Sequence, residues 1–272
     1  MNKLRDFLPE RGYSVVSAFS AGRVIAQIAA CEIGMDSRLS LRFPKPHRFA
    51  VGDRVTVHLD NRTGVETLDI NLRVYRASYR GIVSSVRGDL VGVELVHYQL
   101  FIGTYVIAEE KIEGYAFPAD ARSDSPLPRS ELSSAIFPDE REAENKLGVW
   151  ITRSELWPHS TVMAFLSSPS DDIFLVSHRG SFKSSIIHRD RRCCFAIDHR
   201  STFLFERAVD WNFTVLEAEA SLIGRDSPLF DRVQAEFVHK NPWEEPFFTD
   251  PAVELFHLKP LGILCAGGER LA

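Results

Sequence analysis

Apolar and polar positions alternate along much of the first 118 residues. Alternation over four to eight residues is typical of a half-buried β-strand, because successive side chains of a strand point to opposite faces. Turn signals such as Asn61-Arg62-Thr63-Gly64 and Arg87-Gly88-Asp89 separate the alternating stretches. The pattern therefore predicts closely spaced antiparallel strands in a small sheet or barrel, and the clearest are residues 23–28, 38–43, 54–59 and 68–75.

The second half of the chain also predicts strands, but two helical stretches interrupt them. The strands are residues 160–166, 173–177, 193–197 and 212–220. One helix is predicted to begin near Ser181 and another to cover about 228–238, where Leu229, Val233 and Phe237 recur at helical spacing. The predicted fold class is mainly β, with an antiparallel N-terminal barrel or sheet and a C-terminal barrel that carries a few short helices.

Pro, Ser, Asp and Glu dominate the residues between the two halves. Such a stretch, with prolines that stiffen the chain, buries little apolar surface. We therefore predict a linker over 119–140, which separates an N-terminal β-rich domain at 1–118 from a C-terminal domain at 141–272.

Composition narrows the classes of partner. With 272 residues, 44% hydrophobic residues, a net charge of -5 and a pI near 6.0, the chain lacks the basic surface of a nucleic-acid-binding protein. No apolar run approaches the roughly 20 residues needed to cross a bilayer, and the first ten residues lack the apolar core of a secretory signal. The four cysteines form no CxxC pair and are expected to be reduced. We predict a cytoplasmic protein with no nucleic-acid or membrane partner.

One segment carries candidate chemistry, residues 173–197. A strand ends at Ser177, Gly180 permits a tight bend, and Ser181 suits the N-cap of a short helix whose first turn carries Lys183. Free backbone N–H groups and the positive end of the helix dipole make such a start an anion site, suited to a terminal phosphate. From Arg179 to Arg200, five arginines and Lys183 also outnumber the two acids, Asp190 and Asp198. On chemistry alone, a solvated helix and turn at the surface is the competing interpretation.

The order of these residues resembles a known family. A strand ending in a small polar residue, Gly180-Ser181-Phe182-Lys183, a short helix, Arg189-Asp190-Arg191-Arg192 and an apolar strand is similar to the signature of the pyridoxamine 5'-phosphate oxidase-like proteins. Residues 158–163 and 215–220 stand where that family has its flavin-lining strand and a later strand. Residues 236–242, 255–260 and 266–268 are similar to the closing helix and strand of the haem-utilisation branch.

The resemblance implies an FMN-binding split β-barrel across the C-terminal half. The FMN phosphate contacts would be Ser177, Ser181 and Lys183, with Arg179 as a compensating cation. The strand lining the isoalloxazine ring would be Ser160, Thr161, Val162 and Met163. The family also implies a homodimer with the flavin near the subunit interface, acting as a flavin-dependent oxidoreductase on a small-molecule redox substrate.

Three departures from the family pattern weaken the implied FMN site. Phe182 replaces an arginine, Leu166 falls near the position of a second phosphate-binding lysine, and Phe213 near a flavin-contacting glutamine. Each lost cation removes a charge-assisted hydrogen bond worth about 1.5–3 kcal/mol. Oxidation of pyridoxamine phosphate is therefore not predicted, and no catalytic residue is assigned. The alternative is a non-catalytic ligand-binding or signalling protein that has lost flavin and binds haem or a cyclic dinucleotide; deazaflavin is a further cofactor candidate.

Two smaller signals leave alternatives open. Arg38-Leu39-Ser40-Leu41-Arg42 has the RxxxR spacing that PilZ domains use to bind cyclic di-GMP, although residues 84–89 keep only a turn of the companion motif. Arginines that alternate on an exposed strand would give the same pattern. The histidines His178, His188, His199 and His257 invite a metal or haem ligand, but solvated or structural histidines fit better, and no metal site is predicted.

Overall fold

The N-terminal half forms an antiparallel sheet that closes into a barrel. The computed structural model describes residues 4–62, 74–117, 119–133, 136–143, 145–198 and 213–267, and the side chains up to 264. Its first seven strands are β1 (Arg11–Ser20), β2 (Arg23–Ile33), β3 (Leu39–Arg42), β4 (Arg54–Asp60), β5 (Tyr75–Arg87), β6 (Leu90–Ile102) and β7 (Tyr105–Lys111). They pair in the order β3-β2-β1-β4-β5-β6-β7, and an additional pairing of β3 with β6 closes a six-stranded barrel.

The C-terminal half forms a second antiparallel sheet, which curls into a half-barrel. Its strands are β8 (Leu147–Arg153), β9 (Pro158–Ala164), β10 (Leu166–Ser167), β11 (Ile173–His178), β12 (Arg192–Asp198), β13 (Phe213–Ile223) and β14 (Val253–Gly267). Their order is β10-β11-β14-β13-β12-β8-β9. The long pairing of β13 with β14 contains two register shifts, which let the sheet bend around its core.

Short helices flank the second sheet. They are α1 (Phe182–Arg189), α2 (Pro228–Lys240) and α3 (Glu245–Thr249). Ser227 caps the start of α2 and Pro228 occupies its first turn, where a missing N–H costs nothing. Leu229, Val233 and Phe237 are buried on one face of α2, as their spacing predicts. None of the described helices is both long and apolar enough to cross a membrane.

The predicted mainly β fold class is confirmed. The strands predicted at 23–28, 38–43 and 54–59 coincide with β2, β3 and β4, and the four C-terminal ones with β9 to β13. Most of the strand predicted at 68–75 lies outside the described residues.

Cys31, Cys193 and Cys194 are buried free thiols, and burial raises the pKa of Cys31 and of Cys193 to about 12.

The predicted linker packs against the second sheet along part of its length. The backbone N–H of Ser130 donates to the carbonyl oxygen of Leu222, whose own N–H donates to Pro128 at 2.9 Å. Leu127, Leu132 and Ile136 pack against the buried residues of the C-terminal half. The division into two domains stays a prediction, but this segment buries more apolar surface than its composition indicates.

An apolar layer joins the two sheets. Buried side chains of β1 and β2 pack there against buried side chains of β8, β12 and β13, and the layer includes Val15, Val24, Ile28, Val149, Ile151, Ala196, Phe213 and Val215. Polar contacts continue the layer beside it. Thr56 Oγ1 donates to the carbonyl oxygen of Pro158 at 2.6 Å, and Arg62 Nη1 donates to that of Leu147 at 3.0 Å. The C-terminal half therefore covers the part of the outer barrel face that β1 and β2 form.

Candidate functional site

A cavity of about 680 Å³ lies between the two halves. That volume falls within the range of about 300–1,000 Å³ usual for small-molecule sites. Residues from β4, β5, β6 and the turn after β6 line one side, and residues from β9 and α1 line the other. The lining residues are His58, Arg76, Ala77, Ser78, Arg80, Gln99, Phe101, Gly103, Thr104, Phe117, His159, Ser160, Thr161, Val162, Ser181, Phe182 and Lys183.

The start of α1 opens on this cavity. Ser181 has an extended backbone conformation, and its hydroxyl accepts a hydrogen bond from the N–H of Ser184 at 3.3 Å, so it is the N-cap that the sequence predicts. A hydrogen bond of 2.9 Å joins the hydroxyls of Ser177 and Ser181. Ser177 is buried at the end of β11, where it positions the capping hydroxyl. The predicted strand, turn and helix therefore form, and the first residues of the helix line the cavity.

Lys183 brings a positive charge into the same place. Burial lowers the pKa of its ammonium group, the neighbouring charge of Arg76 lowers it further, and Glu244 opposes the shift. Among the described residues, no carboxylate forms an ion pair with Lys183. A half-buried ammonium without a paired acid is suited to hold an anion.

The strand β9 supplies the rest of this wall. Ser160, Thr161 and Val162 line the cavity, as the family resemblance implies for the flavin-lining strand. His159 also lines it, and its Nε2 shares a hydrogen bond of 3.0 Å with Thr161 Oγ1. Burial lowers the pKa of His159 to about 3, and the charges of Arg80, Lys183 and His58 contribute. This imidazole is therefore neutral at physiological pH.

Two of the residues implied by the resemblance lie away from the cavity. Met163 is not among the residues that line the cavity and packs against the core of the second sheet. Arg179 lies in the turn before α1 with its side chain 75% exposed, and its Nε is 4.0 Å from Glu254 Oε1. The structure thus brings Ser160, Thr161, Val162, Ser181 and Lys183 together, places Ser177 directly behind them, and leaves these two outside; their roles stay predictions.

The opposite wall of the cavity was not expected from the sequence. Arg76, Ser78 and Arg80 lie on β5 at alternate positions, so they share the face that points away from the barrel interior. The side chains between them, Ala77 and Tyr79, belong to the barrel core. The sequence signal for this wall is the spacing Arg-x-Ser-x-Arg at 76–80, which also occurs at 38–42.

Among the described residues, the charge of Asp60 acts on Arg76, whereas no carboxylate acts on Arg80. Arg76 donates to the carbonyl oxygen of Gly103, and Arg80 Nη1 lies 3.1 Å from His97 Nδ1. The Arg80 guanidinium also lies 4.4 Å from the centre of the Phe117 ring. Burial lowers the pKa of both arginines, and among the described residues neither forms an ion pair.

Several polar atoms of the cavity wall lack a hydrogen-bond partner in the described structure. They are Ser78 Oγ, Arg80 Nε, His159 Nδ1 and Ser160 Oγ. A buried polar atom left unsatisfied costs about 1–3 kcal/mol, so four of them in one cavity point to a bound polar group. Among the lining residues that the structure describes, none is an aspartate or a glutamate. The donors and charges of this wall therefore fit a ligand that is anionic and rich in hydrogen-bond acceptors.

The three departures from the family pattern have different consequences. Phe182 lines the cavity, and its ring makes edge contacts with His159 and Phe117 at centroid distances of 5.0 and 5.1 Å. Leu166 and Phe213 are buried in apolar clusters and do not reach the cavity. The missing cations are thus replaced by an aromatic wall on one side and by two arginines on the other.

The remaining candidate residues lie outside the cavity. Arg38 pairs with Asp36 and Arg42 with Asp89, so the segment that resembles a PilZ motif faces solvent with acids beside it. His188 bonds Glu254, whereas His199 lies outside the described residues. Within the described part of the chain, no group of three or more His, Cys, Asp or Glu side chains is arranged to hold a metal ion.

No protein-family model matches the chain, and a search of curated proteins finds no match. Among solved structures, the chain is similar to the Agrobacterium tumefaciens protein Atu2129, of unknown function, at 17% identity and a TM-score of 0.38 over 43% of this chain. It spans 49% of that protein's length. HutZ, the heme storage protein from Vibrio cholerae, is 16% identical with a TM-score of 0.40, over 48% of this chain and 96% of its own.

A further similar structure is a Listeria innocua protein assigned by name to the pyridoxamine 5'-phosphate oxidases, 17% identical with a TM-score of 0.32, over 45% of this chain and 90% of its own. Each of these similarities covers less than half of the chain. At low identity and over partial length, the solved structures to which this chain is similar thus include proteins like the pyridoxamine 5'-phosphate oxidases.

Proposed function

We propose that the cavity binds FMN and that the protein is a flavin-dependent oxidoreductase. One observation carries the proposal: the capped N-terminus of α1 opens on a cavity lined by Lys183, Arg76 and Arg80, and the described part of the chain adds no acidic side chain to its lining. Backbone N–H groups at a helix start, a hydroxyl and an ammonium group are the donors that a terminal phosphate requires. The sequence resemblance supports the same ligand.

The other walls suit a planar ring. Phe117 and Phe182 present aromatic surface, and Ser160, Thr161 and Val162 present a strand with polar and apolar side chains. When bound, the flavin would supply the redox chemistry, while the chain binds it, orients it and shields it from water.

Buried free thiols also support the proposed cytoplasmic location, because cytosolic proteins are kept reduced.

FMN titration of matched variants tests the proposal. We expect wild-type protein to quench FMN fluorescence on binding, and Lys183→Ala to weaken the affinity about tenfold or more, because a charge-assisted phosphate contact is lost. Lys259→Ala is the matched control, since this lysine is exposed and pairs with Glu131 away from the cavity. The proposal is wrong if wild-type protein neither binds FMN nor melts at a higher temperature with saturating FMN, or if both variants bind equally well.

One observation favours a second candidate, a non-catalytic haem-binding protein. His159 Nδ1 is buried in the cavity without a hydrogen-bond partner, and its imidazole is neutral, which is the form that ligates iron. The cations of the cavity would pair with haem propionates. A haem titration with a shifted Soret band in wild type that is lost in His159→Gln would support this candidate. A thermal-shift comparison of FMN, FAD, deazaflavin and haem separates the two.

A further inference from the structure

The outward face of β5 is polar yet buried. In a barrel, alternate side chains face the core and the outside, and the outside is normally solvated. On β5 the core-facing positions are Ala77 and Tyr79, but the outward-facing Ser78 and Arg80 are only 8% and 2% exposed. The C-terminal half covers them, and the cavity lies between.

This burial leaves Arg80 without a carboxylate partner among the described residues, whereas the charge of Asp60 acts on Arg76. The contacts of Arg80 are an imidazole nitrogen and an aromatic ring, and its Nε has no described partner. Arg76, which is close enough to lower the pKa of Lys183, has a backbone carbonyl as its hydrogen-bond partner. Enclosing cations without acids is unfavourable unless another anion is present. The cavity encloses Arg76, Arg80 and Lys183, and among the described residues the nearby acids Asp60 and Glu244 form no ion pair with them, so an anionic ligand fits this wall.

We propose that Arg76, Ser78 and Arg80 form the second wall of the ligand site, so that one chain supplies both walls. This inference rests on the proposed function, because it concerns the same FMN cavity. Arg76 shares the phosphate with Lys183 across the cavity. Arg80 lies four residues away on an extended strand, about 13 Å along it. It therefore holds a second, electron-rich group of the same ligand.

The position of these arginines bears on whether a second subunit is needed to complete the site. The sequence resemblance implies a flavin near the interface between two subunits. Here the apolar layer between β1, β2 and the strands β8, β12 and β13 fixes the barrel against the half-barrel, and this places the arginines of β5 opposite α1. The site needs no residue of a second copy, whether or not the protein also dimerises.

Affinities of arginine variants test the second wall. We expect Arg76→Gln and Arg80→Gln each to weaken FMN binding about tenfold or more, whereas Arg80→Lys keeps part of the affinity. Arg38→Gln, on the same barrel but away from the cavity, is the matched control and should bind FMN like wild type. Melting temperatures without ligand show that the variants are folded, and Arg76→Gln, which replaces a half-buried side chain, keeps the test valid if Arg80→Gln does not fold.

The possible failures are distinguishable. If wild type binds FMN and the β5 variants bind it equally well, the second wall is wrong and the proposed function stands. If wild type does not bind FMN, the proposed function fails, and pyrophosphate then decides the inference by thermal shift. A pyrophosphate-induced rise in melting temperature that disappears in Arg76→Gln and Arg80→Gln would support the second wall, and an unchanged or absent rise would overturn it.

Sedimentation tests that one chain is sufficient. With FMN bound, we expect the visible flavin absorbance to sediment with monomeric protein, at one flavin per chain, in dilute solution. Monomeric protein that sediments without flavin while the dimer carries it would contradict a site completed within one chain. Where FMN does not bind, the same conclusion is tested by the pyrophosphate shift, which should then be independent of protein concentration.

Discussion

Two strands of the barrel carry the same five-residue pattern and use it differently. The pattern is Arg-x-Ser-x-Arg, at 38–42 on β3 and at 76–80 on β5. In both strands the intervening residues face the barrel core, as Leu39 and Leu41 do on β3. The two arginines and the serine therefore point outward in both cases. The difference lies in what covers each strand.

On β3 the arginines face solvent and have acidic partners. Arg38 Nε lies 3.2 Å from Asp36 and Arg42 Nη1 lies 2.8 Å from Asp89, and both arginine side chains are more than 60% exposed. On β5 the corresponding pair lines the cavity and forms no ion pair among the described residues, although the charge of Asp60 acts on Arg76. Water and acids satisfy the first pair, whereas the second pair has donors and charge left for a ligand.

Supplying the missing carboxylate should convert the second pattern into the first. We expect Ser78→Asp to weaken FMN binding about 100-fold or more, because the new acid pairs with the flanking arginines and repels the phosphate. The same acid should raise the melting temperature of the protein without ligand, since two enclosed cations gain a partner. Fluorescence titration and thermal unfolding measure the two effects.

Two controls make this change specific. Ser78→Asn introduces a side chain with nearly the same shape as aspartate but without the charge, and it should keep most of the affinity for FMN. Ser40→Asp places the acid in the equivalent position of β3, where it should leave FMN binding unchanged. Equal losses of FMN affinity in Ser78→Asp and Ser40→Asp would show that an acid on β3 affects the ligand as much as an acid on β5. That result would contradict the difference between the two strands.

The phosphate end of the site could be predicted because it is local in sequence. Ser177, Ser181 and Lys183 lie within seven residues, and strand, turn and N-cap each have a sequence signature. The second wall could not be predicted in this way. Alternation identifies the outward face of β5, but which part of the chain covers that face depends on packing between strands about 80 residues apart. Residues 38–42 have the same spacing, which predicts an outward face on each strand but not which of the two faces is covered.

The linker shows the same limit. Its composition predicts an extended segment, but the structure holds it by contacts that assemble only in space. His257 on β14 shares hydrogen bonds of 2.8 Å with Ser130 of the linker and with Asp172 before β11. Three separate parts of the chain meet there, and no spacing in the sequence announces it. His257 is buried, which agrees with the structural role predicted for it over ligation.

His159 lines the same cavity as the arginines of β5, and its lowered pKa makes the stability of the fold depend on pH. The pKa of His159 is lowered to about 3, so the unfolded chain takes up a proton near pH 6.5 that the folded chain does not. Stability contributed by this residue is therefore complete above pH 6.5 and falls as the pH is lowered towards 3. Between pH 6.5 and 4.5 the loss is up to about 2 kcal/mol of unfolding free energy. Urea unfolding of wild type and His159→Gln at both pH values measures it.

The charge of Arg80 is a cause of that shift, second to burial. We therefore expect Arg80→Gln to raise the pKa of His159, although not to its ordinary value, and Arg42→Gln to leave it unchanged. NMR titration of the imidazole resolves the two variants. An equal response to both changes, or none to either, would mean that the charge of β5 does not act inside the cavity.

The smallest effect is expected at the ion pairs of β3. Arg42 and Asp89 are both more than half exposed, so water screens their attraction and their side chains lose entropy on pairing. A double-mutant cycle with Arg42→Gln and Asp89→Asn should give a coupling free energy of about 0.2–1 kcal/mol, which decreases in 1 M salt, where the screening length is about 3 Å. A coupling above about 2 kcal/mol that resists salt would mean that β3 is covered in solution, and the contrast with β5 would then be lost. A weak, salt-sensitive coupling would leave the surroundings of each strand, rather than its sequence pattern, as the determinant of what its arginines bind.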